Sequence, residues 1–286
     1  MDKAPYIIGS PDEWRIFAEE NRVFVESLPR LQNSIDNIIA RSANDQKPID
    51  RALMTLGWIC ANDFNEIVTL CGNGLGIGGL KLLRGLYERA VVLQYLSAFP
   101  AEVQRFFDFN NIHFGKLYLH TAKEFNLKNT LPAERIKEIL KAKKDAEQRF
   151  QVPMCETCGT TQSPMSWFEG GTLKMAQKAR KKLGLKKGEG LDEMYGICYF
   201  MPTMHTHPTF FSFKEWVEFS DAGMEWKPDA ERHAVSHAMP AAHFIMLHVL
   251  KTHNDYFELG LDDELEGRGK DFQVSWSLRK SNDGKV

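Results

Sequence analysis

The sequence predicts an all-α protein, a multi-helix bundle, from three observations. Apolar residues recur at three- and four-residue spacing through most of the first 150 positions. Prolines and glycines fall at the ends of those runs, where helices start and stop. Strand-like alternation is nearly absent before residue 270.

Each element has its own signal. Ser10-Pro11-Asp12-Glu13 reads as a capping box with proline at the first helical position, opening "EWRIFAEENRVFVESL". Pro29 is expected to break that run, because an internal proline lacks a donor and clashes with the preceding turn; "RLQNSIDNIIARSA" then continues as a second helix. Pro48 opens "IDRALMTLGWICANDFNEIVTL", which "CGNG" ends. "LKLLRGLYERAVVLQYLSAF" is apolar around nearly its whole circumference, the mark of a buried helix, and Pro100 stops it. "AEVQRFFDFNNIHFGKLYLHTAKEF" and "PAERIKEILKAKKDAEQRF" bring the total to six helices by residue 150. Residues 151–171, rich in Pro, Thr, Ser and Gly, read as a long loop. A basic helix near 172–183, a helix near 190–201, a turn holding proline and histidine, and a long helix from about 229 to 258 follow. In "FQVSWSL", Phe272, Val274, Trp276 and Leu278 alternate with polar residues, a short strand signal that has to dock or pair. The expected organisation is one helical domain over 1–259 and a C-terminal tail over 260–286.

Bulk properties narrow the function. With 43% hydrophobic and 26% charged residues the chain has material for a core, and a net charge of −2 gives it no overall attraction for polyanions. No apolar run is long enough to span a bilayer, and "MDKAPYIIGSPDEW" lacks the layout of a secretory signal. Five cysteines, an odd number, argue against a disulfide framework and for a reducing, cytoplasmic setting.

Several motifs carry possible chemistry. "GNGLGIGG" (72–79) lacks the Gly-Lys-Ser/Thr ending of a phosphate loop and reads as a helix junction. Cys155 and Cys158 supply half a zinc-site spacing and read as free thiols; no cofactor motif is complete, and no metal is expected. Arg84 and Glu88, at i,i+4 on the buried helix, share a face and can pair. His205 and His207 precede Pro208 in a turn. Lys174, Lys178, Arg180, Lys181, Lys182, Lys186 and Lys187 have no acid among them; Lys178, Arg180, Lys181 and Lys182 are the candidate RNA contacts, although a solvated face explains the same run. In "RHAVSH", His233 and His237 share a helix face, whereas Arg232 and His237, five residues apart, are separated by roughly 140°. Pro240, which cannot donate to the Ser236 carbonyl, is expected to kink the helix there. His243 and His248 point elsewhere, as packing or surface residues.

Two resemblances add to these readings. Arg232, His233 and His237 resemble the signature of the HEPN superfamily, helical bundles that include metal-independent ribonucleases. That resemblance implies an HEPN-like bundle, homodimerisation across two Arg–His sets, and RNA cleavage to 2′,3′-cyclic phosphate ends, in a role of the toxin or phage-defence kind. Histidine would act as base and acid, and arginine would hold the phosphorane. Over roughly residues 50 to 255 the chain also resembles the bacterial domain of unknown function 5677, with Arg84, Glu88, Tyr199, Thr203 and His207 in its pattern; Thr203 stands where a serine is expected.

Three functions therefore compete. One is the ribonuclease, with Arg232, His233 and His237 as catalytic residues. Another is a non-catalytic ligand-binding or interaction protein built on a buried polar site of Arg84, Glu88, Tyr199 and His207. The third is a metal-dependent hydrolase using His233, His237 and His205 or His207.

Overall fold

A computed structural model of the chain describes residues 11–42, 47–124, 131–150, 152–153, 161–162, 166–221, 223–227 and 229–277. Among these residues the chain is an all-α bundle of eleven α-helices with two short antiparallel hairpins. It divides into two compact units, Phe99–Gly171 and the remainder, Met1–Ala98 with Thr172–Val286. Ser10, Cys155, Cys158 and Leu278 lie outside the described residues, as does most of the expected 151–171 loop.

The larger unit begins with α1 (Pro11–Glu20) and α2 (Arg22–Arg41). The break between them falls at Asn21 and not at Pro29, which lies inside α2. At Asn21 both the side-chain amide and the backbone N–H donate to the Phe17 carbonyl, each at 2.9 Å. The backbone bond is the ordinary helical one; the side-chain bond to the same carbonyl competes with it. Around Pro29, burial of Phe24, Leu31 and Ile35 holds α2 together despite the missing donor.

The centre of this unit is α3 (Pro48–Gly72), α4 (Gly76–Ala98) and α10 (Ala230–Tyr256), packed on one another. As the sequence predicts, α4 is buried on most sides, and Tyr87 at its middle is fully enclosed, donating to the Leu191 carbonyl at 2.9 Å. The 72–79 glycines form a helix junction: Gly74 takes φ +75° between α3 and α4. A Cβ on Gly76 would collide with the Glu231 carbonyl and the Val235 amide, so only glycine lets α4 start this close to α10. α10 runs unbroken through Pro240.

The expected C-terminal strand is a helix, α11 (Asp262–Ser277). Phe272 and Trp276 satisfy a period of two, but four residues apart they also share a helix face. Both rings meet His243, with centroids 5.1 and 6.3 Å away, while Val274, which a strand would place beside them, is exposed. Asp262, Asp263 and Glu264 in the first turn favour the helix by complementing its dipole.

The segment from 171 to 229 builds the rest of this unit. α7 (Gly171–Lys182) is followed by a 3₁₀ turn at Leu191–Met194 and a π turn at Gly196–Phe200. α8 (Met201–Thr206), α9 (Phe210–Trp216) and a hairpin pairing Val217–Ser220 with Gly223–Trp226 lead into α10. The hairpin strands are too short to show a clear alternating pattern. In the smaller unit, α5 (Val103–Glu124) packs on α6 (Ala133–Phe150) through Phe109, Ile112, Ile139 and Phe150, and Val152–Pro153 pairs with Thr161–Gln162.

Candidate functional site

On α4, Ile77, Lys81, Arg84 and Glu88 are spaced by four, three and four residues, so they form one stripe along the helix. The π turn and α8 pack against α4. Arg84 donates to Glu88 at 3.3 Å and to the Tyr199 hydroxyl at 3.4 Å, and its guanidinium lies 4.7 Å from the Tyr199 ring centroid. Tyr199 stacks on Tyr195 with centroids 4.9 Å apart. Thus Arg84, Glu88 and Tyr199, joined from sequence positions more than a hundred residues apart, come together. Their setting is a half-buried seam and not an internal pocket: the side chains of Arg84 and Glu88 remain 26% and 40% exposed. Thr203 donates to the Tyr199 carbonyl at 2.5 Å, tying α8 back to the π turn that presents Tyr199.

His207 does not join the buried part of the seam. As the residue before Pro208 it is pushed out of helical geometry, adopting φ −102° and ψ 151°, and its side chain is exposed. His205 takes the interior place instead, at 7% exposure, with Nδ1 lacking a hydrogen-bond partner among the described residues. Burial lowers the His205 pKa and the nearby Lys81 ammonium lowers it further, while Glu215 opposes them. His205 is therefore neutral near pH 7.

Beyond Arg84 the seam opens into a groove of about 650 Å³ between the start of α4, the end of α8 and α9. Ile77, Phe210, Phe213 and Trp216 supply apolar wall, and His205, His207, Thr209 and Ser212 supply polar groups. Lys81 is the one formally charged residue of this lining; it is exposed and makes no hydrogen bond or ion pair with a described residue. Glu231 stands behind the groove, accepting the Ile77 backbone N–H at 2.7 Å. This bond caps the orphan donors at the start of α4.

The α10 histidines form a separate cluster. His233 Nε2 and His237 Nε2 lie 3.2 Å apart, as their i,i+4 spacing requires, with the rings nearly perpendicular. Burial, followed by the His233 charge, lowers the His237 pKa, and Glu215 opposes both. Arg232 is exposed and makes no hydrogen bond or ion pair with a described residue, so the structure does not bring its guanidinium onto His237. Among the described residues no three His, Cys, Asp or Glu side chains are gathered where they could hold a metal ion.

On α7, Lys178, Lys181 and Lys182 are exposed, while Arg180 turns inward and donates to Asp192 at 2.8 Å. Cys60, Cys71 and Cys198 are buried free thiols. No described helix is long and apolar enough to cross a membrane.

Sequence reasoning found the Arg84–Glu88 pair and Tyr199 but missed Lys81, which the same helical arithmetic could have added one turn earlier. Glu215, in electrostatic reach of both His205 and His237, carried no signal at all.

Residues 51–224 match a family of unknown function, DUF5677. No curated protein and no solved structure matches the chain. The matched segment holds Arg84, Glu88, Tyr199, Thr203 and His207 and ends before Arg232. It covers more than half of the sequence, and the chain belongs to the DUF5677 family.

Proposed function

We propose that the α4–α8 seam and its groove form a ligand site, and that the protein is a helical ligand-binding protein whose ligand carries a phosphate or carboxylate on a flat apolar body. The observation that carries this reading is the exposed ammonium of Lys81, which makes no hydrogen bond or ion pair with a described residue, in a groove whose described lining holds no carboxylate; Glu231, in electrostatic reach of Lys81, lies behind it. Such an ammonium attracts an anion, and the neutral His205 and the hydroxyls offer hydrogen bonds for its orientation. The rings of Phe210, Phe213 and Trp216 suit the apolar body. Arg84, stacked on Tyr199 and paired with Glu88, ties the π turn that leads into α8 to α4. Adenosine monophosphate and benzoate are suitable probes by isothermal titration calorimetry. Binding that weakens about tenfold or more in Lys81→Ala supports the site, as expected from loss of a charge-assisted bond. Equal binding by wild type and variant, or no binding of either probe, overturns it.

A second reading is favoured by one observation, the hydrogen-bonded His233–His237 pair at the surface. Two imidazoles sharing a proton can serve as base and acid in metal-independent RNA cleavage, with Arg232 contacting the phosphate and a second copy of the chain completing the cleft. The exposed, mutually stacked rings of Phe210, Phe213 and Phe219 offer apolar surface for a homodimer, and Lys178, Lys181 and Lys182 offer charge for RNA in a reducing cytoplasm. It ranks second because Arg232 makes no hydrogen bond or ion pair with a described residue and is not held against His237. RNA cleavage in EDTA that disappears in His237→Ala would place this reading first; intact RNA removes it.

A further inference from the structure

Away from the α4–α8 groove, two recesses flank the C-terminal half of α10. The smaller, about 310 Å³, lies between the end of α4, the segment after α7 and α10; Gln94, Leu185, His248, Thr252 and Asp255 contribute to its wall. The larger, about 500 Å³, lies between α10 and α11 and is walled mainly by Phe244, Leu247, Leu265 and Phe272. His248 and Lys251 belong to both linings, so the two recesses meet along these side chains.

The smaller recess holds an unmet acceptor. Gln94 is 3% exposed, and its side-chain Oε1 has no hydrogen-bond donor among the described residues. A buried amide oxygen without a donor costs free energy, and native proteins rarely leave one unmatched. The nearby hydroxyls are committed elsewhere: Ser97 donates to the Gln94 carbonyl, Thr252 to the His248 carbonyl, and Tyr256 to Asp50. None of them turns to the Gln94 side chain. A donor for Oε1 therefore has to come from outside this network.

The charges select the kind of donor. Asp255 and Asp262 both engage the single ammonium of Lys251, leaving the shared edge with an excess of negative charge. His248 adds no compensating cation, because burial holds its pKa down to about 4 and the ring is neutral. An anionic ligand is repelled here and a cationic one attracted. The larger recess is apolar enough to shelter a hydrocarbon body.

We infer that the paired recesses bind a small organic amine, its protonated nitrogen donating to Gln94 Oε1 and the Asp255 carboxylate and its apolar body lying against Phe244, Leu247 and Phe272. The full-length protein can be titrated with phenethylamine and, separately, with phenylacetate, which has the same ring and the opposite charge. Phenethylamine should bind and phenylacetate should not. Gln94→Met, which keeps the size of the side chain and removes the acceptor, should weaken binding roughly ten- to a hundredfold, the cost of a hydrogen bond to a charged group. Asp255→Asn, at an exposed position, should weaken it in the same direction without a loss of melting temperature. Lys81→Ala should leave it unchanged, which separates this site from the anion groove. Equal affinity for the amine and the carboxylate, unchanged affinity in both recess variants, or no saturable amine binding would overturn the inference. So would a crystal structure of the soaked protein in which a single water satisfies Gln94 and no amine is present.

Discussion

The two halves of α10 use the same residue for opposite ends. In the first turns His233 is exposed and His237 half-buried, and the two rings meet across 3.2 Å. In the later turns His243 and His253 are each 1% exposed, and His248 lies against Phe244. His243 Nδ1 accepts the Trp276 indole N–H at 3.1 Å, and His253 meets Ser42 at 3.0 Å while its ring fills the space left by Gly57. Burial holds all three near a pKa of 4, so they are neutral packing groups with a polar edge. A histidine-rich helix is therefore two regions, one whose imidazoles pair with each other and one locked by its neighbours.

Acid should expose that difference most strongly. The buried three titrate near 4 in the fold and near the ordinary 6.5 when unfolded. The unfolded chain therefore takes up protons first as pH falls. Stability from this source is complete above about pH 6.5, declines between 6.5 and 4, and levels off below, at about 1.4 kcal/mol per histidine per pH unit. Urea midpoints followed across this window should fall steeply; a flat profile would mean that the three rings are protonated in the native state.

Packing comes next in size. Gly76→Ala drives a methyl group into the backbone of α10 at Glu231 and Val235, where no flexible side chain can yield. A loss of about 1–3 kcal/mol is expected, read from thermal melts. A neutral outcome would show that α4 and α10 can separate without cost. Arg84→Ala should cost less, at most about 1 kcal/mol, because its pair with Glu88 is partly exposed and screened. A much larger loss would recast the seam as a structural network. Smallest of all, the double change His233→Ala with His237→Ala should alter stability by no more than about 0.5 kcal/mol, as expected for surface positions. Its melting curve then makes any lost RNA cleavage a chemical effect and not a folding one.

Much of this was legible in the sequence, for identifiable reasons. The enclosure of α4 followed from its apolar circumference, and the Arg84–Glu88 pair from its i,i+4 spacing. Phe272 and Trp276 fit two periods at once, and only the position of His243 decides for the helix. Pro29 was misleading because a buried apolar face outweighed one missing donor, whereas the unremarkable Asn21 ended α1. At the site, Pro208 held the information that His207 points outward, through the restriction a proline places on the residue before it. The meeting of Lys81 with His205, and of Glu215 with both His205 and His237, arises from the docking of α8 and α9, which no local pattern encodes.

The most direct test of the central claim is the affinity of the groove for an anion before and after the Lys81 ammonium is removed. Calorimetric titration of adenosine monophosphate into wild type and Lys81→Ala should show saturable binding that drops about tenfold or more in the variant, with both proteins melting alike. Indistinguishable isotherms would contradict the account and leave the Arg84–Tyr199 seam as a structural clamp without a ligand.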